Sequence, residues 1–244
     1  MSLSSPLNLQ DVVVAFDLDG TLVETAPDLL GVLNQMLAED GLAPVDLTAA
    51  RVLVGRGAGV MLERGFAASG VHLTEARRAS LIDRFIVLYQ GRIAQESRPY
   101  AGVEQALDRL IAQGARLVVC TNKRTSLSLQ LLEELRLLSR FVAVIGADLA
   151  PVPKPDPSHV LQALEAAGDQ PVPALPARAV MVGDSINDVA SAKAAGVASI
   201  VVPFGYTEIP AHDLGADLLI DHYDKLVEAV ETLMRRGMTA ARAQ

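Results

Sequence analysis

Five short apolar runs constrain this chain more than anything else in it: "VVVAF" (12–16), "RLVVC" (116–120), "VAVIG" (142–146), "AVMVG" (179–183) and "SIVVP" (199–203). Each run is continuous rather than alternating, so as a strand it must be buried on both faces. An open sheet meets that demand when its strands are parallel and helices cover both sides. "DLLI" (217–220) is a weaker sixth strand. The stretches between the runs read as helices. Val103, Leu107, Leu110 and Ile111 form one apolar stripe ending near Gly114, and Leu127, Leu131, Leu135 and Leu138 form another. "DPSHVLQALEAAG" (156–168) has Asp at the N-cap, Pro at the first helical position and Gly at the stop. Leu226, Val230 and Leu233 make a closing helix, and "RRGMTAARAQ" (235–244) reads as a frayed tail. This alternation predicts an α/β protein with a doubly wound parallel sheet.

One interval breaks the alternation. About a hundred residues separate the first run from the second, and residues 25–95 contain no convincing strand. They carry helical patterns at roughly 26–40, 48–54, 58–68 and 74–95, punctuated by Gly41, Pro44, Gly55, Gly57, Gly59 and Gly70. The expectation is a helical domain over 25–95 inserted into a core made of 1–24 and 96–244.

Composition removes several function classes. The formal charge of −8 argues against a nucleic-acid partner, because phosphate backbones call for a basic surface. No apolar run approaches the length of a membrane span, and "MSLSSPLNLQ" lacks the basic and apolar regions of a signal peptide. The single cysteine, Cys120, forms no intrachain disulfide, fits a reducing compartment and reads as a small buried hydrophobe. A cytoplasmic location is expected. The four histidines lack the spacing of a zinc site.

The chemistry begins where the first strand ends. Asp17 and Asp19, with Leu18 between them, leave an extended segment on one side. Two such carboxylates repel, and a divalent cation, Mg²⁺ by preference for hard oxygens, relieves the repulsion. The pair taken alone reads equally well as an acidic turn. Other strand ends bring company: Thr121-Asn122-Lys123 after the second strand, Asp184-Ser185-Ile186-Asn187-Asp188 after the fourth, and Lys154 between Pro153 and Pro155. All these positions converge on the carboxyl-end crevice of an open sheet. Two acids, a hydroxyl, a lysine and two more acids suit a phosphoryl group held against a metal. The plainer roles stay open: Thr121 as a helix cap, Asn187 and Asp188 as first-turn helix residues, and Lys154 as a solvated loop residue. Against the last, lysine occurs only four times beside seventeen arginines.

"DLDGT", "TN", "KPDP" and "GDSINDVASAKAAG", in this order, resemble the four motifs of the haloacid dehalogenase superfamily. The resemblance covers nearly the whole chain, including a helical cap after the first strand. "FGY" (204–206) followed by "LGADLLIDHYDKL" (214–226) is similar to bacterial phosphoglycolate phosphatases within it. The resemblance implies Asp17 as nucleophile and Asp19 as acid and base. It gives Thr121, Asn122 and Lys154 to the phosphate, and Asp17, the backbone carbonyl of Asp19, and Asp184 to Mg²⁺. Asp188 would support the metal site or orient Lys154. The implied reaction is hydrolysis of a small phosphomonoester, 2-phosphoglycolate first among them, by a monomer or homodimer acting on a small phosphorylated metabolite. Another small sugar phosphate or pyrophosphate as substrate, or a phosphosugar mutase, is the alternative. A binding protein would have decayed motifs. Asp19 argues against dehalogenase chemistry, and the absence of lysine from 22–95 argues against a Schiff-base phosphonate lyase. Glu24-Thr25 and Ala101-Gly102 depart from the family's Asp-Ser and Pro-Gly. Arg56, in the glycine-rich "VGRGAGVML" (54–62), is the expected reader of a substrate carboxylate; a solvated loop arginine is the plainer reading.

Overall fold

The computed structural model of the chain describes residues 8–46, 54, 57–168 and 176–242. Along the chain the strands are β1 (Val13–Phe16), β2 (Val23–Glu24), β3 (Arg98–Pro99), β4 (Arg116–Cys120), β5 (Ala143–Ile145), β6 (Ala179–Gly183), β7 (Ala198–Val201) and β8 (Leu218–Leu219). The helices are α1 (Ala26–Glu39), α2 (Ala58–Ala68), α3 (Glu75–Gln90), α4 (Val103–Ala112), α5 (Thr125–Glu134), α6 (Pro157–Glu165), α7 (Ile186–Ala194) and α8 (Leu226–Arg242).

Six strands form one parallel sheet in the order β5-β4-β1-β6-β7-β8. The continuous apolar runs are explained by the two covered faces. Val14 and Phe16, with Leu117, Val119, Val180 and Val182, belong to one core cluster, to which α4, α5 and α8 contribute and which continues into α1, α2 and α3. Val13 and Ala15, with Val118, Cys120, Ala179 and Met181, belong to a second, under α6 and α7. Alternate residues of each strand therefore point into different cores. β1 lies between β4 and β6, and the chain winds outward from it in both directions. The carboxyl end of β1 is thus the topological switch point, where an open α/β sheet binds ligands.

The interval between β1 and β4 holds the helical insertion. Helix α1 buries Leu29, Leu30, Val32, Leu33, Met36 and Leu37, each worth about 1.5–3 kcal/mol when fully buried. Helix α3 buries only Phe85 and Tyr89, a narrow stripe that commits these two rings to the interior. The two crossings between insertion and sheet lie side by side, as β2 and β3 pair antiparallel with Glu24 opposite Arg98. Asp28, fully buried on α1, ties them together by accepting from the amides of Glu96 (3.0 Å) and Ser97 (2.8 Å) and from Ser97 Oγ (2.7 Å).

Several boundaries differ from the sequence reading. Helix α3 ends at Gln90, before Gly91, and not near residue 95. Leu135 and Leu138 fall beyond α5, at its C-cap and in a short 3-10 turn. Helix α8 runs on through most of the stretch read as a frayed tail, a stretch rich in the helix formers Arg, Met and Ala. The helix expected over 48–54 lies outside the described residues apart from Val54, and so does most of the proline-rich connection at 169–178. No helix among the described residues is long and apolar enough to cross a membrane.

Candidate active site

Four strand ends bring the acids and lysines together. Asp17 follows β1 directly, and its amide donates to Val182 O (2.9 Å), which extends the sheet by one residue. Its carboxylate is almost fully buried. Lys154 Nζ lies 3.1 Å from Asp17 Oδ1, an ion-pair distance without hydrogen-bond direction, so Oδ1 accepts no hydrogen bond. Burial pushes the Asp17 carboxyl up to about 6. Lys154 pulls against that shift, and Asp188 and Asp19 add to it.

The turn after Asp17 requires glycine. Gly20 has φ +84°, and a Cβ there would come within 2.6 Å of Asp184 Oδ2 and 2.7 Å of the Tyr206 ring. Close backbone approach thus lets the β1 turn and the Asp184 carboxylate share one small volume. Gly205 in "FGY" makes the same concession from the other side, where a Cβ would overlap the Asp184 carboxylate.

Asp184 follows β6. Its Oδ1 accepts from Thr21 Oγ1 (2.9 Å) and its Oδ2 from the Tyr206 amide (2.6 Å). Burial raises its pKa well above the usual carboxylate range, with Asp188 and then Asp17 adding to it. Asp188 sits in the first turn of α7 and closes a capping box with Ser185. Its Oδ2 accepts from the amides of Ser185 (3.0 Å) and Asp184 (3.3 Å) and from Ser185 Oγ (2.7 Å), while Oδ1 accepts from Lys154 Nζ (2.6 Å). The first-turn role and the lysine-orienting role therefore coexist in one residue.

Lys154 is buried and donates to Asp188 and to Cys120 O (2.7 Å), so it is not a solvated loop residue. Burial works to lower its pKa, but Asp17 and Asp188 beside it raise it well above the ordinary value. His159 holds the Lys154 backbone. Its Nδ1 accepts from the Lys154 amide (3.2 Å), which leaves the Nε2 proton for Ile145 O (3.1 Å). Burial, then the Lys154 charge, pulls its pKa from 6.5 down to about 4. The folded protein thus refuses a proton that the unfolded chain accepts, so stability is full above about 6.5 and falls as pH drops toward 4. His159→Asn, which keeps an acceptor without a basic nitrogen, should flatten that fall by about 2 kcal/mol in urea unfolding across this range. Parallel curves for the two proteins would show that His159 is not held neutral.

Thr121 does not cap the following helix, whose N-cap is Arg124; its Oγ1 accepts from the Lys123 amide (3.3 Å). Asn122 Nδ2 donates to Lys154 O (2.9 Å), and its buried Oδ1 has no partner. Asp19 lines the same cavity as Asp17 and meets Lys123, whose Nζ donates to both of its oxygens (3.0 and 3.1 Å). Cys120 is buried and its thiol is pushed up to about 12, by burial first, so it carries no reactive thiolate.

The carboxylates of Asp17, Asp184 and Asp188 offer oxygens within 4.8 Å of one another. Asp188 is saturated by its lysine and its cap, whereas Asp17 Oδ1 is short of a hydrogen bond and both Asp184 oxygens keep a lone pair. An all-oxygen set of this charge fits a hard divalent cation. A cavity of about 240 Å³ opens beside it, with Asp17, Asp19, Thr121, Asn122 and Lys123 on the sheet side. Met61, Ile82, Phe85, Ile86 and Tyr89 of α2 and α3 close the other side. Arg56 lies outside the described residues. Sequence reasoning placed Lys123 at the crevice but gave it no role, although the scarcity of lysine that singles out Lys154 applies to it equally. It missed Tyr89, which carries no local signal and reaches the site only through the packing of α3.

Glu24, one of the departures from the family pattern, meets Tyr206 at the crossing. The Tyr206 hydroxyl donates to Glu24 Oε1 (2.6 Å) and accepts from the amides of Thr25 (2.7 Å) and Ala26 (2.9 Å). Tyr206 thus joins the residue after β2 and the start of α1 to the Asp184 carboxylate that its own amide holds.

The family described as haloacid dehalogenase-like hydrolase matches residues 12–196. A protein of Caulobacter vibrioides named phosphoglycolate phosphatase is 50% identical over 227 residues, covering 93% of this chain and 94% of the relative. One of Agrobacterium fabrum with the same name is 45% identical, covering 93% and 95%. Among solved structures, that of a predicted phosphoglycolate phosphatase from Haemophilus somnus aligns with a TM-score of 0.82 at 28% identity, covering 91% of this chain and 99% of that one.

Proposed function

The chain belongs to the haloacid dehalogenase-like hydrolases, and on that premise we propose that it is a Mg²⁺-dependent phosphatase that hydrolyses 2-phosphoglycolate to glycolate and phosphate through an aspartyl phosphate on Asp17. The observation that carries the chemistry is the Asp17 carboxylate: buried at the switch point, lining the cavity, with Lys154 alongside and one oxygen without a hydrogen bond. The substrate is supported by the names of the relatives at 50% and 45% identity and by a cavity sized for a small ester.

In this reading an Asp17 oxygen attacks phosphorus while the bond to the alcohol oxygen breaks. The departing electron pair stays on that oxygen, which takes the proton carried by Asp19. Water then attacks the same phosphorus and gives its proton to Asp19. Inorganic phosphate leaves and Asp17 is regenerated. Covalent catalysis divides one hard displacement into two, and a carboxylate needs no deprotonation to begin. Lys154, Thr121 and Asn122 hold the phosphoryl oxygens, the first by charge and the others by hydroxyl and amide. Mg²⁺, held by Asp17, the Asp19 carbonyl and Asp184, neutralises charge on the phosphoryl group when bound. Asp188 fixes Lys154.

Residues 25–95 form the cap in this reading, and 1–24 with 96–244 form the core. Arg56 is assigned to the substrate carboxylate; Val54 and Gly57, the described residues nearest to it in sequence, line the cavity.

The test is phosphate release from a panel of phosphomonoesters with Mg²⁺ and with EDTA. 2-Phosphoglycolate should give the highest kcat/KM, EDTA should stop turnover, and Mg²⁺ should restore it. Mg²⁺ alone should also raise the Tm, because a ligand that binds only the folded state stabilises it. Full activity in excess chelator would sink the metal assignment, and a flat profile across the panel would sink the substrate.

A further inference from the structure

Lys123 is the second buried lysine of the site, and no role above uses it. Its ammonium spends its three protons on Asp19 Oδ1 (3.0 Å), Asp19 Oδ2 (3.1 Å) and the Tyr89 hydroxyl (3.0 Å). It also lies 4.4 Å from the centroid of the Tyr89 ring, within cation–π range. Tyr89 is fully buried and stacks on Phe85 with ring centroids 5.9 Å apart and planes at 17°. Lys123 comes from the loop after β4, and Tyr89 comes from the last turn of α3 in the helical insertion.

We propose that Lys123 and Tyr89 are positioning residues that aim the Asp19 carboxylate, and that this aim exists only while the helical insertion is seated on the sheet. A lone Asp side chain on a turn turns freely about two bonds. A buried ammonium bonded to both oxygens removes that freedom and holds the carboxylate in the wall of the cavity that it lines. The ammonium is itself fixed by the hydroxyl and ring of Tyr89. If α3 moves away, Lys123 exchanges Tyr89 for water and releases Asp19. Proton transfer to the leaving oxygen is thereby coupled to closure of the site, which limits chemistry to the state that excludes bulk water. The inference rests on the acid role of Asp19 proposed above and adds to it the residues that make that role geometrically exact enough to be productive.

A plain structural ion pair would slow every substrate alike. A device for aiming an acid matters only where the leaving oxygen needs a proton. The experiment compares the phosphorylation half-reaction, in single turnover, for 2-phosphoglycolate, whose alkoxide must be protonated, and p-nitrophenyl phosphate, whose phenolate leaves unaided. Asp19→Asn, Lys123→Met and Tyr89→Phe are each measured on both. Tyr89→Phe keeps the ring and the stack, so it tests the idea even if Lys123→Met fails to fold. The expected result is a loss of about 100-fold for Lys123→Met and about tenfold for Tyr89→Phe on 2-phosphoglycolate, within the range of general acid catalysis, and little change on p-nitrophenyl phosphate. Equal losses on both substrates for Lys123→Met and Tyr89→Phe, while Asp19→Asn discriminates, would overturn this inference and leave the acid role standing. No discrimination by Asp19→Asn would overturn the acid role and this inference with it.

Discussion

Asp17→Asn is expected to abolish phosphate release, by at least about a thousandfold in kcat, the scale on which removal of a covalent nucleophile is felt. The substitution is nearly isosteric, so the switch-point geometry should survive. It should also make the metal-free protein more stable. The wild-type carboxyl is buried among Asp184, Asp188 and Asp19, and burial has already pushed it up to about 6. A group whose folded pKa is raised above its unfolded value loses stability as pH rises through that window. At pH above about 6 the ionised Asp17 is therefore a cost, and the neutral amide removes it. The sign should reverse with the cation present. Mg²⁺ gains most from a carboxylate at this position, so the rise in Tm on adding Mg²⁺ should shrink in the variant. Phosphate release by a phosphate-binding fluorescent reporter and melting with and without Mg²⁺ test both halves. Retention of a tenth of wild-type turnover would remove Asp17 from the nucleophile's role.

The sheet was legible in the sequence because its strands are buried on both faces, and a run such as "RLVVC" has few other structures available to it. The six strands appear within a residue or two of those runs. Asp156 was legible as an N-cap for the same local reason, and it does accept from the Ser158 amide (2.9 Å). Helix ends were less so. The chain after Gln90 reads as helical by composition, but Gly91 and the tie from Asp28 to Glu96 and Ser97 end the helix, and that tie spans sixty-eight residues. The acids of the site were visible because strand ends in a doubly wound sheet converge. What completes their environment was not. Tyr89 meets Lys123 across thirty-four residues of chain and two layers of structure, and no spacing rule records such a meeting. Tyr206 sat in a motif that could be quoted, yet its hydroxyl's hold on Thr25 and Ala26 depends on where α1 begins.

Lys154→Met should lose activity almost as completely as Asp17→Asn, and its effect on stability should run the opposite way. Lys154 is the cation at the centre of the acid cluster: 2.6 Å from Asp188 Oδ1, 3.1 Å from Asp17 Oδ1, and bonded to Cys120 O at 2.7 Å. Methionine fills the volume of the stem but leaves the carboxylates without a counter-charge. Removing one partner of a buried ion pair typically costs about 3–5 kcal/mol, because the remaining charge stays desolvated. Lys154 is also the chief influence drawing the Asp17 pKa down against burial. Without it that pKa should rise further, so the variant should lose stability with rising pH over a wider window than the wild type does. The carboxylates can then be satisfied only by protons or by a metal. Mg²⁺ should therefore stabilise Lys154→Met more than it stabilises the wild type, while turnover stays lost because the phosphoryl oxygens have no lysine to meet. Urea unfolding on both sides of neutral pH, with and without Mg²⁺, gives the comparison. A variant that unfolds at the same denaturant concentration as wild type under all four conditions would mean that Lys154 is not what balances the three carboxylates.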